Sequence, residues 1–560
     1  MSRPWSWILG LAALLLLPGP RTAVLAQDAS SVFVDRVDVN IVNVEVFVTD
    51  QHGRHVEGLT VDDFVVTEDG RPVEVTNFYT VARQPPPEEA PAPHETQPAP
   101  GPGTEPTAVL PAEQRLHLCV YVDNFNIRPG NRGRVLRSLD GFLEGRTAAG
   151  DRVMLVTYDR GIEAVQTFTD DPRLITTALE KIRHSRAGGL TEDLRRRVAA
   201  KKIADALRDP RTAGSAQTFL QSYVDETRAN LQHSTKAISS VIRSLAGVPG
   251  RKAMLYVSDG LPQRPGEQLA EQFFGGQSLS LTMNESSLFN AVIQEANAQQ
   301  VTFYTLDARG SVGTFTTGEY SEETAGGVNR VALDARRTMN YQGALMDMSI
   351  PTGGTAFVNT YNFDTVMDTM AKDFDVFYSL GYSSPSTGDG RYHSIEVKVS
   401  RPGLTVRHRS GFYDKPEDER VADQTLASLI VGMEKNPLGI RLELERPKKK
   451  GQRYLLPILI RIPVQGLTLL PNGEVAEGKL RIFLVVQDEA GGLSPLQELP
   501  YPIQIPGDKL AQARASAIGY LSRLETRAGT QKIAVGVWDE LSGTESFTHQ
   551  TVVVGKAKKR

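Results

Sequence analysis

Apolar and polar residues alternate with a period of two between Val37 and Val48, which is the pattern of a half-buried β-strand. Turn residues at 50–53 and 68–70 separate the shorter β-rich runs that follow it. A stretch dense in proline then interrupts the pattern and is typical of an extended linker. The sequence therefore predicts an N-terminal β segment at residues 32–81 and a proline-rich linker at residues 84–107.

Beyond Arg115 the pattern changes to continuous apolar runs that alternate with helical segments. The runs are LHLCVYV, VMLVTY, AMLYV and VTFYTL, and the shorter EAVQTF follows the second of them. Strands without polar alternation are buried on both faces, so they are typical of a mainly parallel sheet covered by helices. We expect a doubly wound, Rossmann-like α/β domain at residues 115–374.

Sequence rich in β-formers returns after this domain, and its first part provides about three short strands at residues 375–413. So small a sheet buries too little apolar surface to fold as an independent domain. The same is true of the segment 32–81. We therefore expect the two segments to pair into one all-β sandwich, with the α/β domain inserted between its halves. Residues 423–560 hold a short helix at 425–433 and enough strands for a second all-β sandwich, of immunoglobulin or fibronectin type.

The N-terminus has the pattern of a secretory signal peptide. Arg3 precedes the apolar run Ile8–Leu17, and Val24-Leu25-Ala26 offers small residues at the two positions that a signal peptidase reads. Roughly ten apolar residues are too few to span a bilayer, which needs about 20, and no later stretch is long enough. We expect residues 1–26 to be cleaved near Ala26, giving a periplasmic or secreted protein with no transmembrane span in the mature chain.

Composition narrows the classes of partner. The formal net charge is −4 over 560 residues, which gives no broad positive field to gather nucleic acid. Cys119 is the only cysteine, so internal disulfides are excluded and the cores alone must hold the exported domains together. The expected partner is another protein or an envelope component, and not nucleic acid.

Three aspartates directly follow or end apolar strands of the α/β domain: Asp123, Asp259 and Asp307. Ligands of doubly wound sheets bind at the carboxyl ends of the strands, near the point where the strand order reverses. Carboxylates gathered on that rim would suit a divalent cation, because hard cations take several oxygen ligands.

The order of these motifs resembles the von Willebrand factor type A family, and in particular its acidobacterial type. The motifs are VYVDNFN, GGLT and YVSDG inside the domain, with GLTVDDFVVTEDGRPVEVTNF before it and PTGGTAFVNTYNFDTVMDTMAKDFDVFYSLGYSSP after it. The resemblance covers residues 32–413 and implies an α/β fold with a metal-ion-dependent adhesion site. In that family the site uses an Asp-x-Ser-x-Ser motif, a later threonine and an aspartate after the fourth strand.

This chain keeps the two aspartates of that site and lacks the two serines. Asp123 and Asp259 match the aspartates, whereas Phe125 and Ile127 stand where the serines would be and offer no oxygen. The threonine lies one position from its usual place, and an asparagine could supply a side-chain oxygen. The resemblance therefore implies a degenerate site that binds Mg²⁺ weakly or not at all; otherwise these aspartates only cap helices or bond neighbouring loops. Its candidate ligands are Asp123, Asn126, Thr191 and Asp259.

The remaining motifs indicate no enzyme class. There is no His-Glu-x-x-His, Gly-x-Ser-x-Gly or phosphate-binding Gly-x-x-x-x-Gly-Lys-Ser/Thr motif, and we find no catalytic residues. His393, in the turn GDGRYH, is interpreted as part of a surface hairpin loop. We expect an exported binding or scaffold protein that is not an enzyme. Two alternatives stay open: a metal-dependent hydrolase that uses the strand-end aspartates, and a purely structural envelope component.

One helical insertion between residues 192 and 214 carries an apolar stripe among basic residues. Leu194, Val198, Ile203 and Leu207 recur at near-helical spacing. The stripe must be covered, either by packing on the parent domain or as a lid or partner surface over the rim.

Overall fold

The computed structural model describes residues 41–82, 115–275, 281–310, 330–385 and 388–555. The predicted signal peptide at 1–26 and the predicted linker at 84–107 lie outside these described residues. Within them, no helix combines the length and the apolar character needed to cross a membrane.

The N-terminal segment forms four strands, and the first two bury alternate residues on one side. On β1, Val42, Val44 and Val46 are buried while the residues between them are more exposed. β2 pairs with β3 inside the segment, whereas β1 and β4 pair with strands that follow the α/β domain. The strands are β1 (Ile41–Thr49), β2 (Phe64–Glu68), β3 (Arg71–Val73) and β4 (Val75–Ala82).

The α/β domain alternates strands and helices in the order that the apolar runs predict. Its elements are β5 (Leu116–Val122), α1 (Pro129–Ala148), β6 (Arg152–Tyr158), β7 (Ile162–Thr169), α2 (Pro172–His184), α3 (Gly189–Arg208), α4 (Ser215–Arg243), β8 (Arg251–Ser258), α5 (Glu267–Phe274), α6 (Ser286–Ala298), β9 (Val301–Asp307), α7 (Arg330–Ser349), β10 (Ala356–Phe357) and α8 (Phe363–Asp375).

These strands form one six-stranded sheet in the order β10-β9-β8-β5-β6-β7. Every neighbouring pair is parallel except β6 and β7, so β7 is an antiparallel edge strand. This is the doubly wound order, and it reverses between β5 and β8. The α/β prediction is confirmed at the level of a mixed α/β sheet, which fits the fold that the family resemblance implies.

Helices bury both faces of this sheet, which explains why its central strands are apolar throughout. Successive side chains of β5 enter opposite cores: Val120 packs with Leu139 of α1, and Tyr121 packs on the other face with Ile238 of α4. Cys119 lies on this second face, and burial raises the pKa of its thiol to about 12. The thiol is therefore unreactive at neutral pH.

The segment after α8 completes the sheets that the N-terminal segment began. One sheet has the order β13-β1-β11-β4 and the other β14-β12-β2-β3, and their buried side chains form one core that includes Val44, Tyr378 and Ile395. The α/β domain is thus inserted between β4 and β11. The added strands are β11 (Val376–Ser383), β12 (Tyr392–Val399), β13 (Thr405–His408) and β14 (Gly411–Tyr413).

The C-terminal region opens with a helix that starts earlier than the sequence predicts. It begins at Glu417 and not near Thr425, because Glu417, Asp418 and Glu419 lie in its first turn, where the helix dipole favours negative charge. It ends before Met433. The elements are α9 (Glu417–Ile430), β15 (Arg441–Leu444), β16 (Lys448–Lys450), β17 (Arg453–Pro463), β18 (Leu470–Asn472), β19 (Val475–Gln487), β20 (Gln497–Pro506), α10 (Leu510–Arg514), β21 (Ala517–Thr526), β22 (Gly529–Asp539) and β23 (Thr544–Val554).

Two sheets of this region share a core, and α9 joins them to the α/β domain. The first sheet holds β15, β16, β17 and β21, and the second holds β18, β19, β20, β22 and β23. Leu426 and Leu429 of α9 pack into the same core as the helices on one face of the α/β sheet. The side-chain amide of Gln487 also donates to the backbone carbonyl of Ile162 on edge strand β7, at 3.0 Å. The region is therefore docked on the α/β domain.

Candidate functional site

Asp123 and Asp259 flank the point where the strand order reverses. Asp123 follows β5, Asp259 follows β8, and these two strands are parallel neighbours in the sheet. The loop from Asp123 to Arg128 leads from β5 into α1 and forms the rim between them. The structure therefore puts both predicted aspartates at the carboxyl edge of the sheet, where doubly wound folds bind ligands.

The Asp123 carboxylate is turned into the protein, with only 1% of the residue exposed. Its Oδ2 accepts hydrogen bonds from the Asn126 amide at 2.8 Å, the Tyr256 hydroxyl at 2.5 Å and the Ser258 hydroxyl at 3.3 Å. Burial is the largest influence on its pKa and raises it, although these donors act in the opposite direction. Asp123 thus ties the rim loop to β8 and has its oxygens engaged inside the protein.

Asp259 is also held by neighbouring donors. The backbone N–H of Arg128 donates to Oδ2 at 3.1 Å, and the Asn131 amide lies 2.9 Å from both carboxylate oxygens. Because Arg128 is the N-cap of α1, the carboxylate also meets the positive end of that helix. Burial nevertheless raises the pKa of Asp259 to about 6. The sequence analysis missed Asn131, whose only signal is its place in the first turn after the rim loop.

Phe125 and Ile127 occupy the two serine positions of the family motif as core residues. Phe125 packs against Tyr158, with ring centroids 6.2 Å apart, and the Arg160 guanidinium lies 5.3 Å from its ring centre. Ile127 is fully buried in the core on the opposite face of the sheet. The two side chains therefore anchor the rim loop by apolar packing on both faces.

Thr191 is not brought together with the aspartates. Gly188 and Gly189 pack so closely on the rim loop that a Cβ on Gly189 would lie 2.7 Å from the backbone carbon of Ile127. Helix α3 begins at Gly189, beside this contact, and Thr191 lies exposed in its first turn. A small cavity, the rim cavity, lies beside Asp259 at this edge of the sheet. Neither Thr191 nor Asp123 lines it. Of the four predicted ligands, Asn126 and Asp259 alone face that cavity.

The rim cavity has a volume of about 50 Å³, which suits one or two water molecules. Acidic and basic side chains line it in equal number: Glu192, Asp193, Asp259, Arg128, Arg309 and Arg337. Asp193 bridges two of the arginines, at 2.6 Å from Arg128 and 3.2 Å from Arg337. These guanidinium groups already supply the positive charge that the carboxylates require.

Asp307 forms a separate arrangement. It is fully buried, with the Arg309 guanidinium 2.8 Å and the Gln342 amide 2.9 Å from Oδ2. Asn124 is also directed away from the rim, since its side chain bonds Arg132 at 2.7 Å and Ser185 at 3.0 Å. The three strand-end aspartates therefore do not converge on one position.

Helix α3 covers one face and exposes another. Its Ala199, Ala200, Ile203 and Ala206 pack against α4 and α5, so Ile203 is the one member of the predicted stripe that is fully buried. Leu190, Leu194 and Val198 stay 59%, 61% and 47% exposed. Their spacing of four residues aligns them in one row on α3, the helix whose first turn lines the rim cavity. The predicted stripe combined residues from both faces of the helix because its positions follow the helical period only approximately.

No profile of a known protein family matches the chain, and no curated protein matches it. Among solved structures, the chain is similar to an aerotolerance-related membrane protein from Bacteroides fragilis, with 9% identity and a TM-score of 0.22 over 46% of this chain and 98% of that one. It is also similar to the conserved hypothetical protein BatB from Bacteroides thetaiotaomicron, with 11% identity and a TM-score of 0.22 over 46% and 98% of the two chains. The architecture of this chain is a mixed α/β sheet of the kind that the resemblance to the von Willebrand factor type A family implies.

Proposed function

We propose that this chain is an exported scaffold protein of the von Willebrand factor type A kind, which binds another protein or an envelope component through its rim. The observation that carries the proposal is the row of exposed apolar side chains on α3, formed by Leu190, Leu194 and Val198. Grouped apolar side chains on the surface are typical of protein contact sites, because contact removes their apolar area from water.

The row is held on a rigid support, which favours binding with little loss of conformational freedom. The opposite face of α3 packs against α4 and α5 through Ile203 and three alanines. At its first turn, Asp193 is bridged to Arg128 on the rim loop and to Arg337 on α7. A contact surface that is already ordered avoids the entropic cost of ordering on binding.

We further propose that this contact does not require a bound metal ion, and that Mg²⁺ binds the rim weakly or not at all. Asp123 and Asp259 each accept several internal hydrogen bonds, and Thr191 points into solvent. The positively charged guanidinium groups that line the rim cavity would also repel Mg²⁺ at short range. A Mg²⁺ ion would have to displace these bonds while keeping most of its own water.

The same contacts favour a binding role over the hydrolase alternative. Asp259 has a pKa near 6, which would suit an acid or base, but both of its oxygens are engaged by Asn131. The rim cavity of about 50 Å³ is also much smaller than the roughly 300–1,000 Å³ of a typical ligand pocket. We therefore propose no catalytic role for the rim.

The proposal is tested by capture from envelope extract with one variant on the row and one matched control. Leu194→Glu puts a charge in the centre of the row, whereas Leu174→Glu makes the same change on α2, where Leu174 is 45% exposed. The wild type and Leu174→Glu should capture the same partner in equal amount, and Leu194→Glu should lose it. Equal capture by both variants would contradict the proposed contact surface.

A further inference from the structure

A second cluster of chemically active side chains lies far from the rim, at the end of β2. Asp69 follows this strand in a left-handed turn, with a φ of 48°. Strand β12 lies antiparallel to β2, with Glu68 opposite Ile395, and the Asp69 N–H donates to the Ser394 carbonyl at 3.0 Å. His393 is therefore brought beside Glu68 and Asp69 from a position 324 residues away in sequence from Asp69.

The side-chain atoms of these three residues have the spacing of a metal site. His393 Nδ1 lies 2.8 Å from Asp69 Oδ2 and 4.0 Å from Glu68 Oε1. One ligand atom from each residue lies within 4.8 Å of the others. A tetrahedral ion with bonds of about 2.0–2.2 Å holds its ligands roughly 3.3 Å apart, so small side-chain rotations would suffice.

Glu68 brings a buried carboxylate with an incompletely satisfied oxygen to this cluster. The residue is only 3% exposed, and while Oε1 accepts from Ser384 at 2.9 Å, its buried Oε2 has no hydrogen-bond partner. Burial and a side-chain hydrogen bond to Glu68 raise the pKa of the fully buried Tyr382 hydroxyl, although this contact falls outside regular hydrogen-bond geometry. A buried carboxylate oxygen without a partner is costly, and a cation would remove that cost.

The orientation of the His393 ring suits a ligand. Its other nitrogen, Nε2, lies 3.2 Å from Oδ1 of Asp389, and the ring of Phe412 stacks on it with centroids 5.2 Å apart. A carboxylate on the far nitrogen is the usual means by which proteins orient a metal-binding histidine. Asp389 therefore acts as a positioning residue that directs Nδ1 toward Glu68 and Asp69.

From this geometry we propose that Glu68, Asp69 and His393 bind one transition-metal ion, with Zn²⁺ as the preferred ion and Mn²⁺ as the weaker one. One imidazole nitrogen with two carboxylates suits Zn²⁺, which takes three protein ligands and a water in an open site. Mg²⁺ is disfavoured because imidazole is a poor ligand for it. The ion joins β2 to β12 and so ties together the two chain segments on either side of the α/β insertion.

The test uses calorimetric titration of ZnCl₂, and separately MnCl₂, into the full chain after metal removal. The wild type should bind one Zn²⁺ saturably. Asp69→Asn and His393→Gln should abolish this binding, and Asp389→Asn should weaken it about 10- to 100-fold, as expected for a partner that orients a ligand. His52→Gln, which changes an exposed histidine, and Asp259→Asn, which changes the rim, should bind as the wild type does.

Circular dichroism spectra identify any variant that fails to fold. Asp69→Asn is expected to fold normally because the Asp69 side chain is half exposed. The proposal is overturned if the wild type takes up no ion, or if Asp69→Asn and Asp389→Asn both retain wild-type affinity. Loss of binding in Asp259→Asn alone would place the ion at the rim, and this result would also overturn the proposal. Because the rim contact needs neither Glu68 nor His393, failure here leaves the proposed function untouched.

Discussion

The side-chain amide of Asn131 lies 2.9 Å from both carboxylate oxygens of Asp259. A neutral donor from the first turn of α1 thus engages the aspartate that the family motif assigns to metal binding. The carboxylate is buried beside the helix N-terminus, and its remaining close donor is the backbone N–H of Arg128. The rim is therefore held together by hydrogen bonds within the chain.

Ionisation of Asp259 should make the protein less stable as the pH rises. Its folded pKa of about 6 lies above the ordinary value of 3.8, so the folded state binds more protons between these pH values and stability falls across them. The Asp259→Asn variant lacks this cost. Its stability relative to the wild type should increase by about 2 kcal/mol between pH 4 and pH 7, measured by urea unfolding at both pH values. A constant difference between the two proteins would contradict the raised pKa.

Restoring the family serines should damage the fold and should not create a metal site. Phe125 and Ile127 are buried in opposite cores, so Phe125→Ser with Ile127→Ser leaves cavities on both faces of the sheet. We expect a loss of at least about 4 kcal/mol in the free energy of unfolding and no gain in Mg²⁺ affinity. The control is Leu190→Ser, which changes an exposed residue and should cost little. A stable double variant with new Mg²⁺ binding would show that these positions can accept ligands.

The glycine pair should prove sensitive to a single methyl group. A Cβ on Gly189 would meet the backbone of Ile127 and Arg128 at 2.7–2.8 Å, which forces the rim loop to move. Gly189→Ala should therefore lower the melting temperature and reduce partner capture. Gly141→Ala is the matched control on α1, where no atom lies within 4 Å of the added methyl group. That change should stabilise the helix by about 0.5–1 kcal/mol, because alanine is the better helix former.

His117 should make the protein sensitive to acid. Burial, assisted by the charges of Arg152 and Lys252, lowers its pKa from 6.5 to about 4. Between these values the unfolded chain binds a proton that the folded chain does not, so stability is lost as the pH falls from 6.5 to 4. The loss should be about 2 kcal/mol once solvent screening is allowed for. His117→Gln should remove this part of the acid response in urea unfolding, and an unchanged response would contradict the lowered pKa.

Sequence patterns predicted the α/β domain because strands buried on both faces are continuous apolar runs that can be recognised in the sequence. Every residue of β5 and β9 is buried, and their apolar runs have no polar alternation. The same logic placed Asp123 and Asp259 at the carboxyl edge, since each directly follows such a strand. Strand β10 has only two residues, Ala356 and Phe357, and so carries no pattern to detect.

The side-chain geometry of the candidate sites could not be predicted in the same way. The direction of Thr191 depends on how closely Gly189 packs against Ile127, which is a contact between distant parts of the chain. The interpretation of His393 as part of a surface hairpin loop was wrong, because the residue is buried on β12 beside Asp69. Contacts over such separations depend on strand pairing and not on local sequence.

The central claim is that the rim is a protein contact surface held by internal bonds and not a metal-dependent adhesion site. Calorimetric titration of Mg²⁺ into the metal-free full chain tests this claim most directly. Asp259→Ala serves as the matched variant. The account predicts no binding with micromolar affinity in the wild type, and a melting temperature that millimolar Mg²⁺ changes little, because an ion present near its Kd adds only about 0.4 kcal/mol. Micromolar Mg²⁺ affinity in the wild type that Asp259→Ala abolishes would contradict the account.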